Sequence, residues 1–333
     1  MRAAILYHQV SINDSAGDLD VLRQVVSVET ALQNLGYGTV RIPLTLNLAD
    51  ARSALSEASP DVVFNLVETL AATDRLMPLA TILLESLDLP FTGAGSLALL
   101  ATTHKLAAKQ QMSTVRLPTP AWLPRGETQW QGLATPDRKP GRAVIKAICE
   151  HASLGLADDS VVNLLTTPAA PLSELVAERS ERFGTPFFAE EFIEGREFNL
   201  SLLADRGQPV VLPPAEIQFL DFPPDKPRIV GYAAKWDEAA AEYRQTPRTF
   251  RFPVSDRPLL DELQAIARRC WSVFDLRGYA RVDFRVDEDG QPWILEINVN
   301  PCLSPDAGFA AALTEQGLTI DDAVQRIVED AFR

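Results

Sequence analysis

Cysteine is scarce in this chain, with three in 333 residues. Cys149, Cys270 and Cys302 are widely separated and odd in number, which excludes a disulfide framework and a zinc spacing and makes a reducing, cytoplasmic setting the expectation. Basic runs are also missing. The 31 Lys and Arg face 45 Asp and Glu, a formal charge of -14, so nucleic acid and anionic membrane are set aside as partners. An anionic substrate must instead meet positive charge gathered locally. Long apolar runs are absent too: the opening run ends at His8 and Gln9, too short for a signal segment, and no later stretch approaches a membrane span. With 46% hydrophobic and 23% charged residues, the composition is that of a soluble globular protein, and the length calls for two or three domains.

Residues 3 to 7 read as a buried strand, followed by helical spacing of apolar residues over 19 to 35 and a stop at Gly36. Val40 and Ile42 begin the next strand, Asp61 to Leu66 form a third, Leu79 to Leu87 a helix, and 90 to 95 a turn-rich exit. This alternation marks a small parallel α/β domain over 1–95. A second unit, 96–186, contains a helix through Lys105 and Lys109, an irregular Pro- and Gly-rich stretch after Pro120, a strand from Arg142 to Ala147, a loop over 150–155 and a helix from Leu172 to Phe183. From 187 to 333 strands dominate (187–193, 196–204, 209–219). A polar segment over 237–250 reads as a mobile loop, and the helix Leu259 to Phe274 precedes a last hairpin.

That hairpin carries the clearest chemistry. Residues 280 to 286 alternate in strand fashion, Asp289-Gly290 is a turn, and Trp293 to Ile297 return, which puts Asp283 opposite Glu296 with Asn298 on the same face. Oxygen ligands grouped in this way suit Mg2+ shared with the phosphates of a nucleotide, with Mn2+ as the alternative. An ordinary solvated hairpin would leave unexplained both Arg281 beside Asp283 and Glu296 inside an apolar strand.

The ordered pieces Phe91-Thr-Gly-Ala-Gly95, Thr103-His-Lys105, Val144-Ile-Lys146, Ala152-Ser-Leu-Gly155, Glu190 to Phe198, Tyr232-Ala-Ala-Lys-Trp236, Gly278 to Asp283 and Leu295-Glu-Ile-Asn298 together resemble the ATP-grasp superfamily, in particular its D-alanine:D-alanine ligase-like group. The resemblance implies an N-terminal parallel α/β domain, a small central lobe and a C-terminal mixed-sheet lobe, with ATP between the lobes. It implies that Lys105 and Lys146 meet the phosphates and that the loop with Ser153 and Gly155 covers them. Glu190, Glu191 and Ile193 would form a hinge with free backbone groups at adenine, and Glu197 would take the ribose hydroxyls. For Glu191 and Glu194 a charged strand edge that resists aggregation is the competing explanation. The implied reaction phosphorylates a carboxylate and lets an amine attack the acyl phosphate, in a cytoplasmic and often dimeric enzyme. Arg281 and backbone N–H near Cys302 would stabilise the oxyanion, Lys235 would face the phosphates or the acceptor, and no histidine is required as a catalyst.

Departures from the group fall on the substrate side. Asn65 to Leu70 and Ala72 to Arg75 replace its His-Gly and Gly-Glu-Asp-Gly tracts, Ala152 replaces a serine, Trp236 a tyrosine, and Asn300-Pro-Cys-Leu-Ser304 its Ser-Pro-Gly segment. Amine recognition is therefore expected at Asp18 or Glu68, with Asp14 and Asp20 as further candidates, and the substrate pocket at Trp236, Asn300 and Ser304. For Asp18 a helix cap is an equally good explanation. The expected activity is an ATP-dependent ligase for small amino-acid or carboxylate substrates other than the D-alanine pair. A peptide modifier and a nucleotide-binding homologue without turnover are the alternatives.

Overall fold

A computed structural model describes residues 1–132, 140–166 and 169–333, so part of the expected Pro- and Gly-rich stretch lies outside the described residues. Three sheets are present among them. The first is parallel, β1 (Arg2–His8), β2 (Gly38–Leu44) and β3 (Val62–Leu66) in the order β2-β1-β3. Ala3 to Leu6 and Val62 to Phe64 have no exposed surface, as continuous apolar runs in a covered parallel sheet should. Helices α1 (Ala16–Asn34), α2 (Leu48–Ala58) and α3 (Pro78–Ser86) connect and cover it. Next come α4 (Ser96–Thr103) and α5 (Lys105–Thr114), separated at His104, whose ring accepts from the N–H of Ala107 at 3.2 Å.

The second sheet is antiparallel: β4 (Trp122–Leu123), β5 (Arg142–Ala147), β6 (Val161–Asn163) and β7 (Phe187–Glu191), in the order β4-β7-β5-β6, with α6 (Ala169–Phe183) beneath it. Leu172 and Val176 of α6 pack on Ala143, Ile145, Phe187 and Ala189, so one face is apolar. Alternation then sends Lys146 and Glu190 to the other face.

The third sheet contains β8 (Arg196–Asp205), β9 (Gln208–Val211), β10 (Ala215–Ile217), β11 (Arg248–Thr249), β12 (Tyr279–Val286) and β13 (Pro292–Asn298). Its path is β11-β10-β8-β12-β13, with β9 pairing β8. Phe198, Leu200 and Leu202 of β8 and Val282, Phe284 and Val286 of β12 face α9 (Arg257–Val273), α4 and α5 in the main core. Glu197, Asn199, Ser201, Arg281, Asp283 and Arg285 therefore share the opposite face. That polar row ends at Leu203 and Tyr279, which join α1 and the C-terminal helices α10 (Gly308–Gln316) and α11 (Ile320–Asp330) in a second core.

The elements α7 (Tyr232–Trp236) and α8 (Ala241–Gln245) precede β11. The 237–250 segment, expected as a mobile loop, contains α8 and β11: Lys226 binds Glu242 of α8 at 2.5 Å, and Thr249 pairs with Glu216 of β10. At the last turn Asp287 accepts from the N–H groups of Asp289 (3.1 Å) and Gln291 (2.9 Å) and from the Trp293 indole (2.8 Å), while Gly290 takes φ +81. This fixes the register of β12 against β13 from Val286–Pro292 to Phe284–Ile294, beyond which a β-bulge shifts it by one residue.

Gly195, between β7 and β8, has φ +131, and a Cβ there would overlap the Val286 carbonyl. Gly195→Ala is expected to cost at least about 2 kcal/mol, because both the conformation and the backbone contact oppose a side chain. Urea denaturation checks this, and a variant within about 0.5 kcal/mol of wild type would contradict it.

Candidate active site

The polar face of the third sheet builds the site through strand register and one β-bulge between Asp283 and Phe284, which leaves Leu295 unpaired and turns Glu296 onto this face. Asp283 stands opposite Glu296, as expected, and Arg281 opposite Asn298, with Asn199 of β8 completing the row. Arg281 grips Asp283 with two bonds, Nε to Oδ1 at 2.7 Å and Nη2 to Oδ2 at 2.8 Å, and Asn199 donates to Oδ1 at 2.8 Å. Burial pushes the Asp283 carboxyl up, and Arg281 opposes it. Burial likewise disfavours the Arg281 guanidinium, but Asp283 and Glu296 outweigh that and hold it charged. One row further along, Arg285 pairs with Glu197 at 3.0 Å.

Glu296 has a looser environment. Lys105 Nζ is 3.6 Å away, Arg281 3.9 Å and His151 Nδ1 4.0 Å. Burial alone would raise its carboxyl, yet surrounding positive charge, from Lys105 first and Lys235 and Arg281 besides, holds it well below the usual carboxylate range. Burial pulls His151 down to about 4, reinforced by Lys105, so its ring is neutral at physiological pH. Among the described residues no three His, Cys, Asp or Glu side chains already form a metal cluster. The oxygen donors are Asp283, Glu296 and Asn298, and the last accepts from the N–H of Asn300 at 2.9 Å.

The second sheet faces this row with a buried ionic triad. Glu190 is 0% exposed and lies between Lys146 and Lys109, the latter at 2.6 Å. Burial lowers Lys109 to about 8 despite Glu190. Its ammonium also donates to Thr119 Oγ1 (2.8 Å) and the Pro120 carbonyl (3.0 Å). Lys105 donates to the Glu150 carbonyl. The loop over 150–155 is tied down on all sides. Glu150 accepts from the N–H groups of Ala152 (2.5 Å) and Leu154 (2.8 Å), Lys235 donates to the His151 carbonyl (3.2 Å), Trp236 to the Ala152 carbonyl (3.0 Å), and Ser153 to the Val230 carbonyl (3.2 Å). Gly155 takes φ +69 against Phe183 and Phe187, where a Cβ would lie 2.9 Å from a ring carbon. Asp74 accepts from the N–H of His151 at 3.0 Å, so the loop also reaches the N-terminal region.

Several expected site residues are placed differently. Asp18 lies in the first turn of α1 and is tied to its N-cap Ser15: its carboxylate accepts from the Ser15 hydroxyl at 2.7 Å, and Ser15 accepts from the Asp18 N–H. Its neighbour Asp20, on the buried side of the helix, accepts from Cys302 Sγ (2.9 Å) and Ser304 Oγ (2.8 Å) instead. Ser304 is thereby committed to Asp20. Asn300 is used at both amide ends, accepting from Tyr279 (2.5 Å) and donating to the Val67 carbonyl (3.1 Å). The hinge is not a free edge over Glu190 and Glu191, because β7 lies between β4 and β5, and the Glu191 and Phe192 N–H groups go to Ala121 (2.8 Å) and Arg142 (3.0 Å). Ile193, buried, follows the strand's end. Glu68 accepts from Gln24 at 3.0 Å.

Reading the sequence gave no role to Lys109, Arg285, Asp74 or the His151 ring. Two had a signal: Lys109 lies four residues after Lys105 on one helix face, and Arg285 two after Asp283 on one strand face. Two surface cavities, of about 240 and 490 Å³, share no lining residue with this site.

Comparison with known proteins agrees with this fold. Residues 165–329 match the family model described as the D-ala D-ala ligase C-terminus. The D-alanine–D-alanine ligase of Carboxydothermus hydrogenoformans is 29% identical over 317 residues, covering 92% of each chain. That of Methylococcus capsulatus is 28% identical, covering 97% of this chain and 95% of its own. The crystal structure of the Bacillus anthracis D-alanine–D-alanine ligase complexed with ATP superposes with a TM-score of 0.72 at 19% identity, over 100% of this chain and 98% of that one.

Burial pushes the Glu68 carboxyl from 4.5 up to about 8, with Asp20, Asp74 and Asp18 adding to the shift. An acid whose folded value is raised contributes stability that is whole below 4.5 and is lost as pH rises towards 8. Glu68→Gln is therefore expected to flatten the decline in melting temperature across that window. Parallel wild-type and variant curves from pH 4.5 to 8 would contradict the assignment.

Proposed function

Since this chain is an ATP-grasp enzyme of the D-alanine:D-alanine ligase-like group, we propose that it uses ATP to phosphorylate the carboxylate of one small amino-acid-like substrate and joins it to the amine of a second, releasing ADP and phosphate. The observation that carries the reading is Glu296, kept ionised by Lys105, Lys235 and Arg281 on a face it shares with Asp283 and Asn298. An acidic protein has here concentrated the positive charge that a polyphosphate requires.

In this reading Lys105 and Lys146 contact the phosphates, and Glu190, shared with Lys109, holds Lys146 in place. Ile193 and the backbone after β7 contact the base, while Glu197, backed by Arg285, meets the ribose. The donor set fits a divalent cation, because Glu296 and Asn298 are oxygen ligands with capacity to spare and Asp283 stands directly across from Glu296. Asp283, Glu296 and Asn298 would hold Mg2+ or Mn2+, which supplies charge neutralisation for phosphoryl transfer. Arg281 neutralises the oxyanion formed when the amine attacks, helped by backbone N–H near Cys302, whose thiol is occupied by Asp20. The loop over 150–155, docked on α7 by Trp236 and Lys235, excludes water from the activated carboxylate.

The names of the relatives make D-alanine the reference substrate and do not favour a peptide-modifying or non-catalytic role. Substrate choice is proposed to rest on Glu68 and on Trp236, whose indole lies where a Cβ on Gly17 would come within 3.3 Å. ATP-dependent phosphate release, measured over a panel of amino acids that includes D-alanine and paired with mass spectrometry of the product, is expected to give an amide. No release with any pair would overturn the proposal.

Glu296→Gln and Asp283→Asn are each expected to lower kcat by at least about 100-fold, and Glu296→Gln, which keeps the Arg281–Asp283 pair, is expected to leave the fold intact. Near wild-type turnover of both variants at ordinary Mg2+ would contradict the assigned roles.

A further inference from the structure

At the reaction face, one buried nitrogen lacks a partner. Nδ1 of His151 is closed off from solvent and makes no hydrogen bond, and it lies 4.0 Å from Glu296 Oε2. That separation is too long for a hydrogen bond and leaves room for one atom bound to both. The backbone that carries the ring is held in place. Asp74 holds the His151 N–H at 3.0 Å, Lys235 its carbonyl at 3.2 Å, and Trp236 the next carbonyl at 3.0 Å. Leaving a buried polar atom unsatisfied costs about 1 to 3 kcal/mol, so a position fixed this firmly implies a partner from outside the chain.

The other oxygen donors on this face each already accept at least one hydrogen bond. Asp283 has Oδ1 engaged by Arg281 and Asn199 and Oδ2 by Arg281, and Asn298 accepts from Asn300. Glu296 has only its longer charge contacts, with Lys105 the nearest at 3.6 Å. Glu296 and His151 are thus the two least satisfied groups, and they face each other. Neutral imidazole is a common metal ligand, and it suits first-row transition cations better than Mg2+, which prefers an all-oxygen shell.

We propose that His151 supplies, through Nδ1, a nitrogen ligand to the divalent cation that accompanies the nucleotide, alongside Glu296, and so shifts the metal preference of the site from Mg2+ towards transition cations such as Mn2+. The inference rests on the ATP-dependent ligase reading. Phosphate oxygens and water complete the shell, so few protein donors are needed.

Electron spin-echo spectroscopy of the full chain loaded with Mn2+ and ADP tests it without turnover. The expected spectrum contains modulation from a directly bound nitrogen, altered by 15N-histidine labelling and absent in both His151→Gln and His151→Ala. The same variants are expected to lose roughly tenfold in Mn2+ over Mg2+ preference, measured by competition on the nucleotide complex. Bound Mn2+ and ADP without nitrogen coupling, or coupling that survives both substitutions, would overturn the ligand assignment while leaving the ligase reading standing. Failure of wild type to bind Mn2+ with ADP at all would overturn both.

Discussion

The site depends on one constraint: a sheet buried on both faces must neutralise whatever charge its second face carries. On β8, β12 and β13 the odd-numbered positions from 197 to 201 and 281 to 285, together with Glu296 and Asn298, all point one way. Arg281 and Asp283, and Arg285 and Glu197, satisfy each other within that row. A buried charge deprived of its partner typically costs about 3 to 5 kcal/mol, so these pairs hold the register as firmly as the apolar face behind them. Glu296 is left over. Its countercharges come from other parts of the chain, Lys105 from α5 and Lys235 from α7, which makes it the place where separate elements converge on one charge.

The two site-bearing sheets are stitched together through the segment before β4. Lys109 reaches from α5 to Glu190 on β7 and to Thr119 and Pro120, Thr119 donates to the Ile294 carbonyl of β13 at 3.1 Å, and Ile294 donates to the Pro118 carbonyl at 2.8 Å. A buried lysine thus positions Glu190 and fixes the connection to β13, the strand of Glu296. The loop over 150–155 closes the remaining side, held by Glu150 within itself, by α7 and by Asp74. A group that must be shielded from water during reaction is served by such a multiply anchored cover.

The hairpin of β12 and β13 was legible in the sequence from its period-two alternation and Asp-Gly turn, and Asp283 does pair with Glu296, but that pairing depends on a β-bulge between Asp283 and Phe284 that the pattern does not reveal: continued from Phe284 and Ile294, the register would set Asp283 against Leu295. The alternation of the N-terminal strands and helices was legible for the same kind of reason. Asp18 and Asp20 were not separable, since both lie at the start of one helix, and only its packing decides that the first supports the Ser15 cap while the second is buried against Cys302 and Ser304. The hinge was misjudged because strand order is a long-range property: nothing near Glu190 reveals that β4 covers its edge. His151 carried no local signal either, as its neighbour Glu296 is 145 positions away and is reached only through the folded loop. The segment holding α8 and β11 looked mobile by polarity, and its order comes from distant Lys226 and Glu216.

The central claim is that ATP activates a carboxylate as an acyl phosphate before an amine attacks. Transfer of oxygen from substrate to phosphate tests it most directly: the amino-acid substrate is supplied with both carboxylate oxygens as 18O, and the phosphate released with ADP is analysed by mass spectrometry. One 18O atom per phosphate is the predicted result, because the oxygen that attacks the γ-phosphorus leaves with it. Amide product accompanied by phosphate without 18O would contradict the account.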